Sequence, residues 1–293
     1  MVGLCAAAIV VPGSGARNVD SPDLAPYAGL GTWIDIYSPS FRADPTRLAS
    51  AVVDRGVNTV FVETGNFRQR VDVVARPQLG ALIDAAHRRG LAVVAWYLPA
   101  LTSPARDLRR ALAAINFRTS SGDRFDSFAL DIESSAVRNT AERTRRLLAL
   151  SARLRAAAGP TYALGAIIPS PVGMKLLPRY WPRFPYAGLV RTYDVLLPMA
   201  YFSYRARGRV AVDSYVRRSI RIIRAATVDH PVPIHVIGGL AGAVTPTDAA
   251  AFAHAAASCG VSGLSLYDFY GTKPSVWPLL ERAANIAPVT GLC

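Results

Sequence analysis

The chain has 293 residues, 51% hydrophobic and 18% charged, which excludes a mainly disordered chain or an acidic tail protein. That length equals about two average domains, but it also suits one α/β barrel and is enough to bury a large core. The formal charge is +13 and, of 33 basic residues, only Lys175 and Lys273 are lysines. The arginines are scattered through amphipathic segments, and no zinc-finger spacing, RNA-binding aromatic signature or basic zipper accompanies them. Nucleic acid is therefore not an expected partner. No internal apolar run reaches the roughly 20 residues of a membrane-spanning helix, so no integral membrane segment is expected.

Residues 2–11 are apolar or small, and Pro12-Gly13-Ser14-Gly15-Ala16 supplies a small-x-small ending before Arg17. The pattern matches the apolar region and cleavage site of a secretory signal, although a basic leading segment is missing. A buried N-terminal strand is the alternative. The expectation is an exported protein, secreted or associated with the cell wall, with a cytoplasmic location as the alternative. Residues 1–16 form the apolar segment, 17–30 an N-terminal extension and 31–293 the main domain.

Strands are expected at residues 32–37, 59–63, 92–98, 127–133, 162–168, 195–201, 234–238 and 263–267. Helical patterns occupy 45–55, 77–89, 104–116, 140–158, a less regular 185–193, 214–226, 246–258 and 275–284. Asp44-Pro45, Ser103-Pro104 and Thr245-Pro246 each place a capping residue before a proline at the first helical position. Asn139 followed by Glu142 makes a capping-box-like start. Gly56, Gly90, Gly159 and Gly260 stop their helices. Strands that are nearly continuous apolar runs belong to a sheet covered on both faces. Eight of them alternating with helices give a single (β/α)8 TIM barrel of α/β class. A doubly wound open sheet is the alternative, without a glycine fingerprint to support it.

Once residues 1–16 are removed, Cys259 and Cys293 remain, each after a helix on the same face of such a barrel. They form either a disulfide or two free thiols. The four histidines are dispersed and neither CxxC nor HExxH occurs, so no metal site and no cofactor are expected.

Barrel chemistry sits where the strands finish. The residues at those ends are Asp35, Glu63, Tyr97, Asp131, Glu133, Ser170, Met199, Tyr201, Tyr267 and Asp268. Acids and aromatics predominate, which suits a saccharide. In Asp126-Ser127-Phe128-Ala129-Leu130-Asp131-Ile132-Glu133, period-two alternation puts Ser127, Ala129, Asp131 and Glu133 on the inward face. Two carboxylates two residues apart on one face lie roughly 6.5–7 Å apart by strand rise. Each opposes ionisation of the other, so one can stay protonated near neutrality and act as a general acid. Glu133, nearer the mouth, is that acid, while Asp131 beneath it stays charged or shares its proton. The alternative is a structural pair satisfied by arginine or backbone groups. Asp35 and Glu63 either bind sugar hydroxyls or supply a second carboxylate; each could instead cap a loop or pair with Arg68 or Arg70. Trp33 and Trp96 are assigned to the core. Tyr97, Met199, Tyr267 and Asp268 are assigned to substrate binding, and the segment from Arg179 to Arg183 to a lid or an irregular surface loop.

The stretch from Asp126 to Glu133 resembles the DGxDxDxE strand of glycoside hydrolase family 18, the chitinases and their non-catalytic relatives. Asp126, Asp131 and Glu133 match, while Ser127 replaces the glycine and Ala129 the middle acid. Pro198-Met199-Ala200-Tyr201-Phe202 is similar to that family's MxYD strand, with Phe202 in place of the acid. The resemblance implies that Glu133 protonates the glycosidic oxygen while Asp131 and Tyr201 hold a 2-acetamido group that is itself the nucleophile. A glycoside hydrolase cleaving a polysaccharide, with amino sugars in it, is the first expectation. A lectin-like, non-catalytic carbohydrate-binding barrel is the second. A cytoplasmic enzyme for a small phosphorylated substrate ranks last, with Gly238-Gly239 its only phosphate-loop candidate.

Overall fold

The structure, a computed structural model, describes residues 21–285 and Cys293. The expected signal segment lies outside the described residues. Eight parallel strands run β1 (Gly29–Ile34), β2 (Thr59–Asn66), β3 (Ala92–Leu98), β4 (Ser127–Asp131), β5 (Leu164–Ile168), β6 (Val195–Pro198), β7 (His235–Leu240) and β8 (Gly263–Tyr267). Each pairs with its sequence neighbours, β1 also pairs with β8, and the bridges Leu196–Ile234 and Met199–Ile237 join β6 to β7. This is the expected (β/α)8 barrel. The strand begins at Gly29, two residues before the expected domain boundary.

The helices fall close to the sequence expectation, with additions. They are α1 (Pro39–Ala43), α2 (Pro45–Val53), α3 (Arg76–His87), α4 (Pro104–Ile115), α5 (Thr140–Ala158), α6 (Pro171–Leu176), α7 (Tyr186–Leu189), α8 (Arg209–Ala226), α9 (Pro246–Ser258) and α10 (Trp277–Ala284). The Asp44, Asn139 and Thr245 side chains each accept a hydrogen bond from the first turn of their helix. Ser103 does not, so α4 starts on Pro104 without a side-chain cap. Among the described residues no helix is long and apolar enough to cross a membrane.

Alternation along the strands sorts the core into two layers. Leu30, Ile34, Val60, Val62, Val93, Phe128 and Leu130 face the helices, while Trp33, Phe61, Val94, Trp96, Ala129, Ile167, Leu197 and Ile237 fill the barrel. Tyr27, in a short 3-10 turn (Ala25–Tyr27) within the expected extension, plugs the lower end. Its hydroxyl pairs with Ser127 Oγ at 2.7 Å and Phe128 O at 3.0 Å. Small inward residues make room for it: a Cβ on Gly165 would lie 2.7 Å from the Tyr27 hydroxyl. His235 lies fully buried at the same end, with Nδ1 near Tyr27 O and Nε2 near Ser265 Oγ, both at 3.0 Å. Burial holds its imidazole down to a pKa of about 4.

Cys259 and Cys293 form a disulfide, with Cα atoms 4.9 Å apart. Of the two readings the sequence left open, the bonded one holds.

Candidate active site

The upper end of the barrel opens into a cavity of about 400 Å³ lined by acids, aromatics and one arginine. That volume falls within the range of small-molecule sites. Asp35, Glu63, Asp131, Glu133, Met199, Tyr201 and Tyr267, seven of the residues singled out from the sequence, all line it.

Strand parity explains which residues arrive and which do not. On β3, Val94 and Trp96 face inward, so Tyr97 faces the helices. It is fully buried and its hydroxyl donates to Asp107 on α4 at 2.8 Å. The expectation that Tyr97 binds substrate is corrected on that ground. Trp96, expected as core, is buried in the barrel core and also lines the cavity. Asp268 follows the inward Tyr267 by one residue and falls outside the cavity; its Oδ1 accepts the Gly271 amide at 2.8 Å and its backbone oxygen the Thr272 hydroxyl at 2.7 Å. These bonds hold the turn after β8, in which Asp268 is half-buried. Phe202 points outward as well, buried against Phe252.

The strand β4 ends at Asp131; the Ile132 amide still donates to Ile167 O on β5 at 2.8 Å, and the chain then reaches Glu133. Asp131 is 7% exposed and, among the described residues, its Oδ1 has no hydrogen-bond partner. Burial, and then the nearby charges of Glu133 and Glu63, push its carboxyl well above the usual range. No arginine satisfies it, so the alternative of a structural ion pair is not what this pair forms. Glu133 stands exposed on the rim, and partial loss of water around the carboxyl raises its pKa too. Proton affinity is thus raised at both members of the pair.

Glu63 is held differently. Its Oε2 accepts the Ile36 amide at 3.2 Å and its Oε1 the Asn66 side chain at 2.9 Å. Burial still raises it, against those two bonds. A register shift between Glu63 and Gly65 breaks the alternation and brings Asn66 back to the inward side. The sequence pattern ends this strand at Glu63, three residues short of Asn66. Asn66 Nδ2 also donates to the Tyr37 hydroxyl at 3.2 Å, while Asp35 accepts the Tyr37 amide at 2.7 Å and the Tyr267 hydroxyl at 3.2 Å. One network therefore joins the ends of β1, β2 and β8.

Aromatic surface is available at several depths. Tyr37 and Tyr204 are 62% and 68% exposed beside the opening, Tyr201 and Tyr267 sit deeper, and Trp96 forms part of the wall. Burial raises the Tyr201 hydroxyl well above its usual value, helped by the charges of Asp131, Tyr267 and Glu133. The buried Trp96 Nε1 has no partner among the described residues. Exposed tyrosines after strand ends were the missed sequence signal.

The segment from Arg179 to Arg183 packs rather than hangs free. Trp181 is buried, with the Arg143 guanidinium 4.6 Å from its ring centroid, and Tyr180 donates its hydroxyl to the backbone oxygen of Glu133. Asp126, matched to the first acid of the resembled strand, lies at the opposite end of the barrel. It accepts the Val93 amide at 2.7 Å and approaches His87 at 3.0 Å. Among the described residues no group of three or more His, Cys, Asp or Glu is arranged to hold a metal ion.

No family model matches this chain, and no curated protein does. Its fold has many solved counterparts. An endo-1,4-beta-mannanase from Rhizomucor miehei superposes with a TM-score of 0.65 at 10% identity, over 90% of this chain and 96% of the other. An endo-beta-1,4-mannanase from Thermotoga petrophila gives 0.68 at 9%, over 90% and 77%. A chitinase from Chromobacterium violaceum gives 0.61 at 13%, over 88% and 99%. At such identities the likeness is one of fold.

Proposed function

We propose that this protein is a glycoside hydrolase that cleaves a polysaccharide containing amino sugars, with Glu133 as general acid/base. The observation that carries it is Glu133 at the open rim above the buried, unpartnered Asp131, both with raised proton affinity. A carboxyl kept protonated in a cavity of aromatic faces is suited to protonating a glycosidic oxygen.

In the first step Glu133 gives its proton to the glycosidic oxygen as the bond from that oxygen to C1 breaks and the leaving sugar departs as an alcohol. The pocket-lining acids lie on or just after β1, β2 and β4, and β7 ends in Gly238-Gly239-Leu240. As the resemblance to family 18 implies, the attacking group is assigned to the substrate: the carbonyl oxygen of its 2-acetamido group bonds to C1. Asp131 Oδ1 and the Tyr201 hydroxyl orient that group. Water then attacks C1, its proton passes to Glu133, and the acetamido group is released. Export belongs to the same proposal. The disulfide supports it, since such bonds persist in oxidising compartments.

The test is hydrolysis of a panel of polysaccharides and aryl glycosides by the wild type and by Glu133→Gln. Loss of a general acid costs about 10²–10⁴ in rate, so full activity in the variant would dispose of the role. A non-catalytic, carbohydrate-binding barrel is the second reading, supported by Ala129 and Phe202 standing where the resembled strands carry acids. Binding without any product after prolonged incubation would favour it.

A further inference from the structure

We infer that the polysaccharide is anionic, bearing carboxylate or phosphate groups, and that Arg68 is the residue that recognises them. The inference rests on the hydrolase reading for the identity of the pocket and adds the charge of what enters it.

Among the described residues Arg68 is the one cation lining a cavity that also holds four carboxyl groups. It nevertheless forms no ion pair, and its guanidinium no hydrogen bond, with any described residue. The group instead lies 5.4 Å from the centroid of the Phe67 ring, which also lines the cavity. Its backbone is fixed: the Arg68 amide donates to Asn66 Oδ1 at 3.0 Å, and Asn66 is in turn bonded to Glu63. The site thus holds in place, through two hydrogen bonds, the start of an arginine whose own charge has nothing to meet. An arginine fork matches planar carboxylate or phosphate oxygens in a bidentate manner.

The surroundings agree. Arg70, Arg138, Arg179 and Arg205 are exposed on loops that follow strands, and none is in an ion pair among the described residues. Ion pairs occur at both ends, Arg109 with Asp72 at 2.9 Å in the segment after β2 and Arg155 with Asp194 at 2.5 Å at the opposite end. Exposed arginines without an ion pair on the connections that follow the strand ends raise the local concentration of polyanions on that side. Of the four lining carboxyl groups, burial holds Glu63 and Asp131 toward their neutral forms, so the pocket opposes a polyanion less than its number of acids implies. A neutral glucan, mannan or chitin chain offers these arginines oxygen acceptors but no charge.

Binding is measured by calorimetry on the Glu133→Gln protein, so that turnover does not intervene, and then on Glu133→Gln/Arg68→Gln. The probes are hyaluronan oligosaccharides, the same oligosaccharides after carboxyl reduction, a poly(glycosyl phosphate), and chitin hexasaccharide. The expected result is tight binding of a carboxylate or phosphate probe, weakened by about 10- to 100-fold on Arg68→Gln and weakened further at high salt. Whichever acidic probe binds identifies the group. Equal affinity for reduced and acidic chains, binding of neither acidic probe, or no effect of Arg68→Gln would overturn the inference. Hydrolysis is scored separately on the wild type. Cleavage of neutral chains with no Arg68 dependence would sink the charge inference alone. Acidic binding that depends on Arg68, with no cleavage, would sink the hydrolase reading alone.

Discussion

The hydroxyl of Tyr180 donates to the backbone oxygen of Glu133, so the segment after β5 holds the residue that ends the β4 extension. Burial and the charge of Glu133 push that hydroxyl up to about 12, keeping it a donor at any working pH. Trp181 and Arg143 pack behind it. Tyr180 is therefore a positioning residue. Tyr180→Phe is expected to lower kcat by about 10- to 100-fold with KM little changed. Steady-state kinetics check this, and an effect confined to KM would contradict it.

Asp131 gives stability a particular pH dependence. Its folded-state pKa is raised, so folded protein keeps a proton that the unfolded chain releases near pH 3.9. The stabilisation is complete below that value and is lost as pH climbs through the raised one. Asp131→Asn loses nothing over that range. Its Tm is expected to gain on the wild type as pH rises above about 4, while activity falls. Parallel Tm curves would show that Asp131 is not held neutral.

Activity has its own alkaline limb. Glu133 must be protonated to act, and its raised pKa moves the limb above the roughly 4.3 of a free glutamate. A pH–rate profile that falls as pH rises through this region, and loses that limb in Glu133→Gln, is expected.

Tyr27 stabilises the far end of the barrel without touching the site. Tyr27→Phe removes the hydrogen bonds to Ser127 and Phe128 and is expected to cost about 1–2 kcal/mol. In a domain of this size that lowers Tm by a few degrees, with kcat/KM unchanged. Thermal melts beside assays separate the two.

The Cys259–Cys293 bond closes a loop of 34 residues, worth roughly 4 kcal/mol in the chain-entropy picture. Cys259→Ser should melt lower than the wild type, and reductant should lower the wild type alone.

Composition and periodicity were sufficient for the architecture, because each strand and helix carries its own signal: a β-branched run, a cap, a proline, a stopping glycine. The Asp131/Glu133 pair was legible for the same reason, since period two puts residues i and i+2 on one face. Parity applied one strand further would have excluded Tyr97, whose neighbour Trp96 points inward. Asn66 was not legible. Only the register shift in β2, set by pairing with β3, returns it to the cavity. Tertiary structure alone decided three more things: that Asp131 has no arginine beside it, that Tyr180 reaches Glu133 across 47 positions of chain, and that Arg68 is left unpaired. Each depends on which distant loops meet at the mouth, and that is fixed by closure of the barrel rather than by any local pattern.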